Sequence, residues 1–207
     1  MHKLVRSYPE PQVLAEARQN GVEDWDHFPS AKKKEVQLDL LVMQDERCAY
    51  CESALDLSEG HIEHFRRKNK DWFPELTFVW DNLYYSCKCN GTCGCHKDRV
   101  LKKDQVDMLI DPCKDNPEDY LVFTPDGDVN PRPALSESDR ARAELTIDVF
   151  NLRHPALCQK RANEIRKYAW MRDSEYSSDK IDEYLALTKI DQYVTAICHS
   201  LGKRVVA

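Results

Sequence analysis

Apolar residues recur at helical spacing through the first quarter and the last third of this chain, and between them the period shortens. Residues 11–20 read as a helix that ends at Gly21. Ser30 is placed to cap a second helix running through Arg47, with Val36, Leu40 and Met43 on one face. From Cys48 to about Val129 the pattern is one of short alternating runs. Leu76-Thr-Phe-Val-Trp80 and Tyr120-Leu-Val-Phe123 read as strands, the latter running into the turn signal Pro125-Asp-Gly127. After Asn130-Pro-Arg-Pro-Ala134 helical spacing returns four times. Ser136 or Ser138 starts a helix carrying Ala143, Ile147 and Phe150. Leu157, Arg161, Ile165 and Tyr168 mark the next, Ile181, Tyr184 and Leu185 a third, and Val194, Ile197 and Leu201 a fourth that stops at Gly202. All four read as core-facing stripes. The expected organisation is α+β, with a helical region 1–47, a compact middle 48–130 and a helical region 131–207.

Length and composition narrow this picture. The chain has 207 residues, enough for one real core without staples. Its first residues form no apolar signal region, and no run of about 18 apolar residues occurs, so neither secretion nor a membrane span is expected and the expected location is cytoplasmic. There thiols stay reduced, and the nine cysteines, an odd number, read as metal ligands plus free thiols. Cys113, Cys158 and Cys198 stand alone and are expected in the core. A net charge of -6 argues against a surface that grips nucleic acid throughout. The charge is uneven, however: residues 64–70 form a basic run, and Lys97, Arg99, Lys102 and Lys103 form another.

These two runs flank the chemistry. Cys48-Ala-Tyr-Cys51 has the spacing of a zinc knuckle, and Ser86-Cys-Lys-Cys-Asn-Gly-Thr-Cys-Gly-Cys-His-Lys-Asp98 supplies a second set of thiols. Two such groups closing on one structural Zn2+ would clamp what lies between them, namely Gly60-His-Ile-Glu-His-Phe65 and Trp80-Asp-Asn-Leu83. Glu63 and His64 put a hard oxygen ligand beside an imidazole, a pairing suited to metal-assisted attack of water on phosphate. A Glu-His pair in isolation is ordinary surface decoration; the clamp and the basic flanks give this one a context. A thiol-redox protein would account for the crowded cysteines and leave Glu63, His64 and Asn82 without a task.

The order of these parts resembles the HNH endonuclease family with its ββα-metal core: Cys48 and Cys51, then Glu63-His64, then Asn82-Leu83, then cysteines from Cys87. The strings Cys48-Ala-Tyr-Cys-Glu52, Ile62-Glu-His-Phe-Arg66, Pro74-Glu-Leu76, Trp80-Asp-Asn-Leu83 and Ser86-Cys87 look more specifically like the retron- and Septu-associated, PtuB-like branch, with Asp111-Pro112, Asp126-Gly127 and Asn151-Leu152 as later landmarks. The resemblance implies a small zinc-stabilised HNH core flanked by helices. It implies His64 as general base, Glu63 as ligand of a catalytic Mg2+ or Mn2+, and Asn82 as the residue that orients the loop carrying His64. Arg66, Arg67, Lys68 and Lys97 become phosphate contacts. It also implies anti-phage defence alongside a PtuA-like ATPase subunit, with or without a retron reverse transcriptase and its reverse-transcribed DNA, and a nucleic-acid substrate. His61 is not part of the transferred pattern. The family's last element is C-x2-C followed at once by His or Asn, with Lys three further on; here Cys89, Cys93 and Cys95 offer competing registers. Chelate strain disfavours Cys89-Asn90, leaving Cys93, or Cys95 in its place, as fourth zinc ligand with Cys48, Cys51 and Cys87. His96 is the candidate second ligand of the catalytic ion; if Gly94 holds that position, fewer protein groups hold the ion, and the alternative reading is a zinc-stabilised interaction subunit with a degenerate nuclease site.

Overall fold

The computed structural model describes residues 1–6, 9–89, 91–173 and 176–205. Two short helices open it, α1 (Gln12–Gln19) and α2 (Ser30–Met43). Val36 and Leu40 are buried as their spacing predicts, but two details differ. Pro29, not Ser30, takes the N-cap position, and no side chain caps the helix. The helix also stops four residues short of Arg47, because Asp45 and Glu46 adopt left-handed backbone at φ 50 and 57. The buried Gln44 holds that turn: its amide nitrogen, Nε2, donates to the carbonyls of Arg47 and Tyr85 (2.7 and 2.9 Å), and its Oε1 accepts from the Tyr85 N–H (2.8 Å).

The middle of the chain builds an antiparallel pair, β1 (Gly60–His64) and β2 (Leu83–Cys87), in the register Gly60 to Cys87 and His64 to Leu83, followed by the helix α3 (Cys93–Val100). Every residue of β2 is buried. The run Leu76–Trp80, read from sequence as a strand, instead lies between two 3-10 turns, Pro74–Leu76 and Trp80–Asn82. Local hydrogen bonds win there: Thr77 Oγ1 donates to the Pro74 carbonyl (2.6 Å) and Asn82 Nδ2 to the Leu76 carbonyl (3.1 Å). A second antiparallel pair, β3 (Leu121–Phe123) and β4 (Val129–Pro131), turns at Gly127 with φ 83. That glycine meets the backbone at Cys158 and Ala162 so closely that a Cβ would lie 2.1 Å from the Cys158 carbonyl oxygen.

The C-terminal helices are α4 (Glu137–Val149), α5 (Pro155–Asp173), α6 (Ser178–Leu187) and α7 (Val194–Ser200). Ser136 caps α4 by accepting from the Asp139 N–H at 3.1 Å. Three of the four expected stripes face the core, and α6 does so only in part: none of its residues is fully buried, Leu185 packs half-buried against the core, and Tyr184 is exposed beside Trp170, 5.7 Å between ring centroids. Among the lone cysteines Cys198 is buried, while Cys113 and Cys158 are half-buried. One buried apolar cluster draws on all three stretches of chain, and in it Tyr50 of the first cysteine turn stacks on Phe150 at the end of α4, 4.0 Å between centroids. No helix among the described residues is long and apolar enough to cross a membrane.

Candidate functional site

Cys48, Cys51, Cys87 and Cys93 converge in the interior, each sulfur within 4.8 Å of the others. Cys51 and Cys87 are 4.0 Å apart. A tetrahedral Zn2+ with sulfurs at about 2.3 Å sets them about 3.8 Å from one another, so the group needs only a small contraction to close on the ion. Local backbone brings this about. The Cys48 N–H donates to the Ser53 carbonyl (2.9 Å) and Glu52 adopts φ 64, which folds the first pair into a tight turn. Cys93 sits at φ 55 as α3 begins, its N–H donating to the Phe150 carbonyl (2.8 Å). The Cys87 N–H points at Cys48 Sγ (3.4 Å), the kind of outer contact that orients a thiolate ligand. Hydrogen bonds from Cys48, Cys87 and Cys93 hold Cys51 well below the ordinary thiol range, and contacts with Cys48 and Cys51 push Cys87 and Cys93 up. Four thiols this close ionise together only around a cation. Cys95 and the exposed Cys89 are not in the group, and Asn90 lies outside the described residues.

The second centre lies on β1 and the face of α3 that covers it. Glu63 and His64 are both buried. Nε2–H of His64 donates to the Thr77 carbonyl at 2.9 Å, which leaves Nδ1 as the basic nitrogen of the neutral ring. The edge of Trp25, from the loop between α1 and α2, packs against the same imidazole, 4.9 Å between centroids at 90°. Burial pulls His64 down to about 4, so the ring is neutral at pH 7. Asn82 is buried in the loop beyond it, accepting from the Arg66 N–H (2.7 Å) and donating to the carbonyls of Arg66 and Leu76 (2.9 and 3.1 Å).

Lys97 is not on the surface at all. It is fully buried, with Nζ 2.5 Å from Glu63 Oε1 and donating to the carbonyls of His64 (2.6 Å) and Phe65 (3.2 Å). A phosphate contact by Lys97 is therefore corrected to an internal pairing, since its buried ammonium is already held by Glu63 and, at 3.2 Å, by Asp98. Burial works against the charge on Glu63, but Lys97 and His61 outweigh it and leave the carboxyl below its ordinary range. Of the other basic residues, Arg66 pairs with Asp107 and lies over Phe73, and Arg67 pairs with Asp98 and lies over Trp72. Lys68 makes no ion pair within 4 Å among the described residues.

On α3 it is Gly94, not His96, that faces Glu63. A Cβ at Gly94 would lie 2.6 Å from Glu63 Oε2, and the Gly94 N–H donates to Ser86 Oγ (3.2 Å). With 100° per residue, positions 94 and 97 share a face and 96 turns away from it. His96 accordingly directs Nδ1 to the Val149 carbonyl at 2.9 Å. His61 is the group that sequence reasoning set aside: two residues before Glu63 on β1, its Nε2 lies 3.7 Å from Glu63 Oε2. Period-2 alternation was the signal that points to it. No sequence signal indicated Trp25, whose partner is remote along the chain.

No protein-family model matches this chain. It is similar to a Septu protein PtuB of Bacillus thuringiensis, 34% identical over 144 residues, an alignment covering 69% of this chain and 48% of that protein. It is also similar to a Septu protein PtuB of Bacillus mycoides (strain KBAB4), 28% identical over 162 residues, covering 65% of this chain and 52% of that protein. The chain thus spans about half the length of the curated relatives it matches.

Proposed function

We propose that this protein is a metal-dependent nuclease with an HNH-type site, acting as the effector of an anti-phage defence system of the Septu kind. The observation that carries the reading is the pairing on β1 of an ionised, buried Glu63 with a neutral His64, held between a four-cysteine centre and Asn82. Both similar proteins bear the Septu PtuB name, which supports the defence role and a PtuA-like ATPase partner. A retron reverse transcriptase with its DNA belongs to the same resemblance as a further partner.

The residues divide the work. Cys48, Cys51, Cys87 and Cys93 fit a structural zinc that ties β2 and α3 to the first cysteine turn. Glu63 fits a hard divalent ion, because it is ionised and has one oxygen, Oε2, on the side away from Lys97. When bound, Mg2+ or Mn2+ supplies Lewis-acid polarisation of a phosphate and stabilises the departing oxygen. His64 Nδ1 takes the proton from the attacking water, while the Thr77 carbonyl keeps the ring in the required tautomer. Trp25 restricts water around the imidazole. Asn82 fixes the backbone of Arg66, and Lys97 fixes the carbonyls of His64 and Phe65, so both are positioning residues. Lys68, and Arg66 and Arg67 once drawn from their carboxylate partners, meet the phosphate backbone of the substrate.

Gly94 favours a second reading, a zinc-stabilised interaction subunit that performs no chemistry, because α3 offers Glu63 no second ligand. Cleavage separates the two. The purified chain, alone and with its ATPase partner, is expected to cut DNA or RNA in Mg2+ or Mn2+ and to lose that activity in Glu63→Gln. Absence of cleavage of either substrate under all these conditions contradicts the nuclease reading.

A further inference from the structure

Glu63 cannot hold a divalent ion by one oxygen and water alone with much affinity, and α3 gives it no help. We propose that His61 is the second protein ligand of that ion, serving from β1 the position that Gly94 leaves empty on the helix. The inference rests on the nuclease reading for the ion's purpose, not for its site.

Four observations converge on His61. Alternation along β1 puts it on the same side as Glu63, and its Nε2 stands 3.7 Å from Oε2. An ion at about 2.1 Å from each donor spans a gap of up to about 4.2 Å, so the two atoms can share one without moving the strand. The other oxygen, Oε1, is engaged by Lys97, which leaves Oε2 as the ligand atom. The neighbouring imidazoles serve elsewhere: Nδ1 of His64, left free by the Nε2 bond to Thr77, is the proposed base for the attacking water, and His96 lies on the side of α3 turned away from Glu63, with Nδ1 at the Val149 carbonyl. Finally, the His61 side chain is 30% exposed where that of Glu63 is 3% exposed, so the pair opens to solvent on the histidine side. Water and a phosphate oxygen can complete the coordination there. An imidazole in the donor set also shifts preference toward first-row transition ions over Ca2+.

Mn2+ is the probe that reads this directly, by electron paramagnetic resonance on the zinc-loaded full chain. The expected result is one bound Mn2+ per chain whose spin-echo decay is modulated by a directly coordinated imidazole nitrogen. His61→Ala is expected to lose the modulation and to bind Mn2+ at least about tenfold more weakly, since even residues behind a ligand cost that much. His96→Ala is expected to keep both. Zinc content and circular dichroism confirm that each variant is folded. A wild-type spectrum without nitrogen modulation, no Mn2+ binding at all, or unchanged binding in His61→Ala each overturns the proposal. If Mn2+ binds as expected but no nucleic acid is cut, the nuclease reading fails and the His61 ligand stands. If cleavage occurs and Mn2+ is indifferent to His61, the ligand assignment alone fails.

Discussion

Asn82 concentrates three backbone hydrogen bonds in one buried side chain, and its loss orphans Arg66 N–H and two carbonyls. Asn82→Ala is expected to lower stability by about 3 kcal/mol in denaturant unfolding, roughly one per bond, and to slow cleavage by loosening the loop behind His64. A full-strength enzyme with unchanged unfolding contradicts that role. Residue identity was legible here but residue surroundings were not. Asn82 could be assigned to the loop of His64 because it lies in a recognisable string. Lys97, by contrast, read as a surface cation, since its charge says nothing of the carboxylate that buries it. Among titrating groups outside the two centres, Glu118 is the most informative. Burial works against its charge, but hydrogen bonds from His199 (3.0 Å) and the Val205 N–H (3.1 Å) leave it below its ordinary value of 4.5. Its contribution is full above 4.5 and is lost as pH falls through the lower folded value, so Glu118→Gln is expected to flatten the acid limb of a stability profile. An acid limb as steep as in the wild type counts against it.

Elements account for what single residues cannot. β1 and α3 approach so closely because Gly94 lacks a Cβ, which lets the Glu63 side chain fit beneath the helix. Gly94→Ala is expected to cost about 2 kcal/mol through overpacking and to displace Glu63 from Lys97. Wild-type thermal stability in that variant argues against the close approach. Helices were largely legible because apolar spacing is local and their caps are short-range. The Leu76–Trp80 run was misread because alternation was its only strand credential, whereas Thr77 and Asn82 supply hydrogen bonds that curl the chain. The α6 stripe was legible only in part: Leu185 reaches the core, whereas Tyr184 meets Trp170 on the surface.

At the scale of the whole molecule the four-cysteine centre ties the first cysteine turn to β2 and α3, and Tyr50 on Phe150 carries the tie into the C-terminal helices. One zinc per chain is expected by elemental analysis, with Cys93→Ser losing it along with cooperative unfolding and Cys95→Ser retaining it. Zinc retained by Cys93→Ser and lost by Cys95→Ser reverses the ligand set. Linear spacing left that choice open because several thiols lie within reach of one turn; it is decided by where α3 begins, at a cysteine in left-handed backbone. The fold thereby presents Glu63 and His64 together from β1, where they would carry the hydrolysis. Its most direct measurement is the single-turnover rate of nucleic-acid cleavage in Mn2+ for the wild type and His64→Ala, each carrying one zinc. Loss of the general base predicts a fall of about 100-fold or more; a His64→Ala rate within a few-fold of wild type contradicts the account.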